Sequence, residues 1–96
     1  MKIIALEEES EEAQPSAFIP HLKPEAKKLW ELYQCGHVRE VYFREDQKLA
    51  VLILECESVE SAKQILSRLP LVKEGLIRFE LIPLIPYSGF ERLFVS

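Results

Sequence analysis

His21 and Glu80 are the residues best suited to move a proton in this chain. An imidazole titrates near neutral pH and serves as general acid or base. His21 follows Pro20 at the junction of a loop and a helical stretch, a position that would put it at the mouth of a pocket. Glu80 lies in an alternating strand, where burial would raise its pKa enough for it to take and return a proton. Arg44 and Arg78 carry the planar fork that grips a carboxylate through two hydrogen bonds. Tyr42, Trp30 and Tyr87 would wall such a site and contact the substrate. The chemistry this set could do is proton transfer on a small, partly apolar acid. The plainer reading of the same residues is paired surface charge for Arg78 and Glu80, and packing for Trp30, Tyr33 and Tyr87.

Other chemistries lack their residues. The three glycines, Gly36, Gly75 and Gly89, form no phosphate-binding loop. No serine or cysteine sits in a nucleophile elbow. Cys35 and Cys56 have neither metal-ligand spacing nor the pattern of a disulfide framework, and both read as small buried apolar residues. No cofactor and no metal is expected. The formal charge is −4 and the largest basic cluster is Lys27–Lys28, which argues against nucleic acid and anionic membrane surfaces as partners. With no charged-then-apolar leader and no apolar run of about 18 residues, the expectation is a cytoplasmic protein.

The elements that must position these residues can be read from periodicity. Residues 1–96 suffice for one domain. Residues 2–6 form an apolar run covered on both faces. Residues 7–14, EEESEEAQ, read as a solvated acidic loop, with a mobile lid or cation site as the sharper alternative. In PSAFIP, Phe18 and Ile19 would tack that loop onto the body. Residues 21–35 read as a helix, with Pro24 in its first turn and an apolar stripe of Ala26, Leu29, Trp30, Leu32 and Tyr33. Gly36 is the expected left-handed residue after its end.

A strand over residues 38–44 is predicted to alternate, with Val38, Glu40, Tyr42 and Arg44 on one face and Arg39, Val41 and Phe43 on the other. Residues 45–47 make a polar turn, and residues 49–54, LAVLIL, a central strand. Ser58 caps a second helix whose buried stripe is Ala62, Ile65, Leu66 and Leu69. Pro70 ends it, and Gly75 turns the chain into the last strand. There Ile77, Phe79 and Leu81 oppose Arg78, Glu80 and Ile82, and Pro83 and Pro86 favour a sheet edge. Phe90, Leu93 and Phe94 follow, spaced to bury one side of a short terminal turn against the chain itself or a neighbour.

The order strand, helix, strand, strand, helix, strand is that of a ferredoxin-like α+β domain, βαββαβ, with a four-stranded antiparallel sheet and two helices on one face. In that topology the first and third strands are central, and those are the two runs that are apolar throughout. The other face of the sheet would expose an apolar patch that monomers seldom tolerate. A homodimer or larger homo-oligomer, sheet against sheet, would cover it and enclose a chamber for a small-molecule ligand.

The stretch SVESAKQILSRLPLVKEGLIRFELIPL, residues 58–84, resembles the muconolactone isomerase-like family. The resemblance rests on Ser58-Val59-Glu60, the helix carrying Leu66, the break Leu69-Pro70-Leu71, and Gly36 followed by the strand from Val38. It implies a dimeric α+β barrel and a cofactor-independent isomerisation or proton transfer on a small carboxylated or lactone compound. The alternative is a ligand-binding or assembly module without catalysis. The acidic stretch and the aromatic tail depart from that family's compact pattern.

Overall fold

The structure is a computed structural model and describes residues 1–95. Its centre is a four-stranded antiparallel sheet of β1 (Lys2–Glu9), β2 (Val38–Phe43), β3 (Ala50–Glu55) and β4 (Ile77–Pro83), in the spatial order β2-β3-β1-β4. The two apolar runs are the central strands, as their composition requires. The proline-terminated β4 is an edge.

β1 is longer than its apolar run. It extends through Glu7, Glu8 and Glu9, which pair with Phe79, Arg78 and Ile77 of β4. The expected acidic loop therefore begins only at Ser10. Backbone pairing with an edge strand outweighs the low strand propensity of glutamate, because each carboxylate reaches the sheet margin or a partner. Glu7 accepts a hydrogen bond from the Ala50 N–H at 3.0 Å, and Glu8 pairs with Arg78 at 3.2 Å.

Residues 15–21 are helical rather than a loop. A four-residue helix α1 (Pro15–Phe18) runs into a 3₁₀ turn (Ile19–His21) and then α2 (Leu22–Gln34). Pro15 suits an N-terminal helical position, where its missing N–H costs nothing. Phe18 is half-buried, but Ile19 is exposed and does not tack this segment down. Pro24 does lie in the first turn of α2, and Gly36 takes φ +89° just past its end.

α3 (Val59–Leu66) starts where expected. The Ser58 hydroxyl accepts a hydrogen bond from the Ser61 N–H at 3.1 Å, with Glu60 in the first turn. Pro70 opens a further short helix, α4 (Pro70–Lys73), whose Leu71 is buried.

The register defines two faces. Ile3, Ala5, Val38, Leu52 and Leu54 share one face and form a single core with Leu32 of α2 and with Ala62, Ile65, Leu66 and Leu69 from the second helical region. On the opposite face stand Ile4, Leu6, Val51 and Ile53, all only half-buried, together with exposed Ile82. A bulge changes the alternation predicted for β2. Val38 pairs with Leu54 but Glu40 with Ile53, so Arg39 is an extra residue. Val38 therefore shares the helix-covered face with Val41 and Phe43, whereas Glu40 and Tyr42 belong to the open face.

Cys56 is buried, and its surroundings push its thiol pKa up, chiefly through loss of solvation. Cys35 is exposed, contrary to the expectation for both cysteines, because it lies at the C-terminal end of α2 with its Sγ on the Leu32 carbonyl. Among the described residues no helix is long and apolar enough to cross a membrane.

Candidate functional site

An open cleft of about 590 Å³ lies between α2 and the edge strand β2. Ala26, Leu29, Trp30 and Tyr33 form one wall, and residues 39–42 form the other. The α2 wall follows from helical spacing, since positions 26, 30 and 33 lie on one stripe. Trp30 and Tyr33 stack with ring centroids 5.7 Å apart, giving a continuous aromatic surface. The bulge at Arg39 aims the opposite wall. The Arg39 Nε donates to the Gly36 carbonyl at 2.7 Å, which fixes the guanidinium at the rim. Tyr42 donates its hydroxyl proton to Glu40, and that hydrogen bond to a carboxylate holds the phenol pKa above its usual range. The lining combines aromatic surface with a small number of polar groups, the usual make-up of a small-molecule site.

A second set of groups lies at the N-terminal end of α2. Glu25 Oε1 accepts a hydrogen bond from the Leu71 N–H at 2.9 Å. Burial raises the Glu25 pKa above its ordinary value; the Leu71 hydrogen bond opposes this, the charge of Glu7 adds to it, and His21 opposes it. Glu7 is likewise raised, first by burial, against the Ala50 hydrogen bond, and then by Glu9. His21, Glu25 and Glu7 thus form one electrostatic cluster on the helix side of the sheet. Glu25 is not itself a lining residue of the cleft; it lies one turn from Leu29 of the α2 wall, about 6 Å of helix rise.

The residues expected from sequence are divided between places. Trp30 and Tyr42 line the cleft. His21 is half-buried beside Glu25. Arg78 and Glu80 stand on the open face, with Arg78 paired to Glu8. His21 and Glu80 are therefore on opposite sides of the sheet in one protomer, and a chamber between two open faces would not include His21 of the same chain. Arg44 lies beyond the end of β2 and binds Asp46 through both carboxylate oxygens, at 2.9 and 2.7 Å. Tyr87 lies in the tail, edge-on to Phe90 at 5.0 Å. Among the described residues no group of three His, Cys, Asp or Glu side chains is placed to hold a metal ion.

Glu25 and Arg39 are not marked out as site residues by the sequence, and Glu7 is marked only as part of an acidic stretch. Glu25 was legible only as a polar position beside an apolar stripe, and Arg39 needed the bulge to be known.

The backbone has well-matched counterparts. A crystal structure of muconolactone isomerase superposes with a TM-score of 0.73 and 16% identity, covering 93% of each chain. The chain has the fold of muconolactone isomerase. A 5-chloro-2-hydroxyhydroquinone dehydrochlorinase from Burkholderia phenoliruptrix, in complex with 2,5-dihydroxybenzoquinone, aligns with a TM-score of 0.69 and 14% identity, over 93% of this chain and 98% of that one. No family model matches the sequence, and no curated protein sequence matches it. The resemblance read from residues 58–84 is thus borne out at the level of the fold.

Proposed function

We propose that the chain is a muconolactone isomerase-like, cofactor-independent proton-transfer catalyst acting on a small unsaturated acid or lactone. The α2–β2 cleft with the half-buried Glu25 carboxyl one turn from its α2 wall is the observation that carries this reading. Trp30 and Tyr33 stack on the flat part of the substrate, and Arg39 takes its carboxylate. A proton leaves one carbon and returns at another while the double bond shifts. No atom is gained or lost, so one carboxyl that accepts and returns the proton is enough. Glu25 is the group whose raised pKa suits that task, and His21 beside it tunes or relays the proton. The fold neighbours, an isomerase and a dehydrochlorinase acting on ring compounds by their names, support a catalyst of this kind.

The assembly in this reading is a cytoplasmic homodimer, with the open sheet faces packed together. Ile4, Leu6, Val51 and Ile53 meet their counterparts, and Glu80 and the Arg78–Glu8 pair stand toward the rim. A second reading, ligand binding without turnover, is favoured by one observation: Glu7 and Glu25 each already serve a backbone N–H and so have a structural use.

The two readings separate in one experiment. Unsaturated lactones and ring carboxylates are titrated against Trp30 fluorescence, and solvent deuterium uptake into each bound compound is followed by NMR. Catalysis predicts binding that Arg39→Ala weakens by about 10–100-fold, the loss of a charged hydrogen bond of roughly 1.5–3 kcal/mol. It also predicts deuterium uptake that Glu25→Gln and His21→Ala abolish or slow while binding persists. Binding without exchange sinks the catalytic reading, and no binding sinks both.

A further inference from the structure

Trp30 belongs to two hollows. One is the cleft between α2 and β2. The other, of about 690 Å³, is lined by Lys23, Pro24, Ala26, Lys27 and Trp30. Ala26 and Trp30 line both, so the two hollows adjoin along the outer side of α2. Positions 23, 26, 27 and 30 have the i, i+3, i+4, i+7 spacing of one helical stripe. The small Ala26 leaves room beside the indole, and Trp30 is 58% exposed.

This double hollow has cations at both ends. Among the described residues Lys23, Lys27 and Arg39 form no ion pair, whereas the neighbouring Lys28 is paired with Glu31 at 3.0 Å. Lys23 and Lys27 stand one turn apart on the same stripe, where like charges work against the helix. The chain has a formal charge of −4, so a general excess of basic residues does not account for them. Arg39 spends its Nε on the Gly36 carbonyl, which leaves its two terminal amino groups for another acceptor. Local repulsion with no compensating contact inside the protein is the mark of a site whose partner comes from outside.

We propose that the ligand of this site has two anionic ends, one on Arg39 and one on Lys23 and Lys27, joined by an apolar middle that crosses Trp30. Resting on the reading above for the group in the α2–β2 cleft, this inference makes that small acid the head of a longer molecule. Helix geometry sets the length. From Lys27 to Gly36, whose carbonyl holds Arg39, is about 13.5 Å of helix rise, and the lysine stem leans further toward the N-terminus. The two anions are therefore about 14–18 Å apart. An extended carbon chain advances somewhat less than about 1.5 Å per bond, which asks for roughly twelve to fourteen carbons or an equivalent ring and chain. A single-ring acid reaches one end only. The second anion is a carboxylate or a phosphate, since ammonium groups bind either as point charges.

Trp30 is the only tryptophan, so its fluorescence reports on the junction of the two hollows. Straight-chain α,ω-dicarboxylates from hexanedioate to hexadecanedioate are titrated against it, each beside the monocarboxylate of equal length. Near the matching length the dicarboxylate is expected to bind about tenfold tighter than its monocarboxylate, the low end for a charge-assisted hydrogen bond. Hexanedioate should show no such gain. Lys23→Gln with Lys27→Gln should erase the gain and leave monocarboxylate binding in place, and Arg39→Ala should weaken both series. The ω-phosphonoalkanoate of matching length identifies the tail: a further gain over the dicarboxylate assigns a phosphate, and none assigns a carboxylate. Unchanged far-ultraviolet circular dichroism shows that the variants fold. Equal affinity of the two series at every length overturns the proposal, as does a gain that survives the double lysine substitution. Short acids that bind through Arg39 with no gain from a second anion leave the catalytic reading standing, whereas a length-dependent gain without deuterium uptake sinks that reading alone.

Discussion

Glu25 and Leu71, 46 residues apart in the sequence, are joined by a hydrogen bond from the Leu71 N–H to the Glu25 carboxylate at 2.9 Å. Leu71 is the second residue of α4, and its N–H is one of those that a helix cannot satisfy internally. Leu69, at the N-cap, has no side-chain acceptor, so Glu25 supplies one from another helix. The bond ties α2 to the crossover that leads into β4. Glu25→Ala should cost about 1–3 kcal/mol, because it strands a donor at a buried residue. Glu25→Gln keeps an acceptor and should cost much less. Urea denaturation of both variants checks the difference. If Ala and Gln are equally destabilised, charge and not the cap is what Glu25 provides.

Glu7 and Glu25 also set a pH dependence. Both carboxyls hold their protons more tightly in the folded chain than at the ordinary value of 4.5, mainly through burial. The folded state therefore binds more protons than the unfolded state just above that value, and the slope of stability with pH is negative there. The stabilising contribution is full below pH 4.5 and is lost as pH rises through the raised folded values. A Glu7→Gln, Glu25→Gln chain has no such loss. Its stability relative to the natural chain should rise between pH 4.5 and neutrality. Parallel stability curves for the two chains across that range would show that these groups titrate normally in the fold.

Much of the fold was legible because its signals are local. The two apolar runs are central strands, Ser58 is a cap, Gly36 is left-handed, and Ile77, Phe79 and Leu81 turn together toward the helices. What was not legible depends on partners far along the chain. Glu7 reads as loop until β4 and the Ala50 N–H are there to receive it. The bulge at Arg39 is set by pairing with Leu54 and Ile53, and it moves Glu40 and Tyr42 to the other face. The candidate site was less legible for the same reason. His21, Trp30 and Tyr42 stand out in the sequence by residue type alone, and Trp30 and Tyr42 line the cleft. Arg44 has the fork that grips a carboxylate, but nearby Asp46 already fills it.

Ser58 offers a calibration of these energies on a feature outside the site. Its hydroxyl is the side-chain cap of α3, and Ala62, Ile65 and Leu66 of that helix are core. Ser58→Ala should lower stability by about 1 kcal/mol, and Ser58→Asp should nearly preserve it. Both are measured by chemical denaturation. A loss well above that range would mean the helix depends on its first turn more than on its buried stripe.

The open face makes a claim about assembly. Ile53 lies at the middle of the open face, between Glu40 of β2 and Ile4 of β1. In a sheet-to-sheet pair its neighbours are apolar and water is excluded, so an arginine there carries an unpaired charge into the interface. Ile53→Arg should raise the dimer dissociation constant by at least about a hundredfold, roughly 2.7 kcal/mol at the tenfold-per-1.4 kcal/mol scale. Sedimentation over a concentration series measures it, and a Lys2→Arg change at the sheet margin serves as the control. An Ile53→Arg chain with wild-type affinity removes the sheet-to-sheet dimer, because no packed apolar face accepts a guanidinium at its centre without loss.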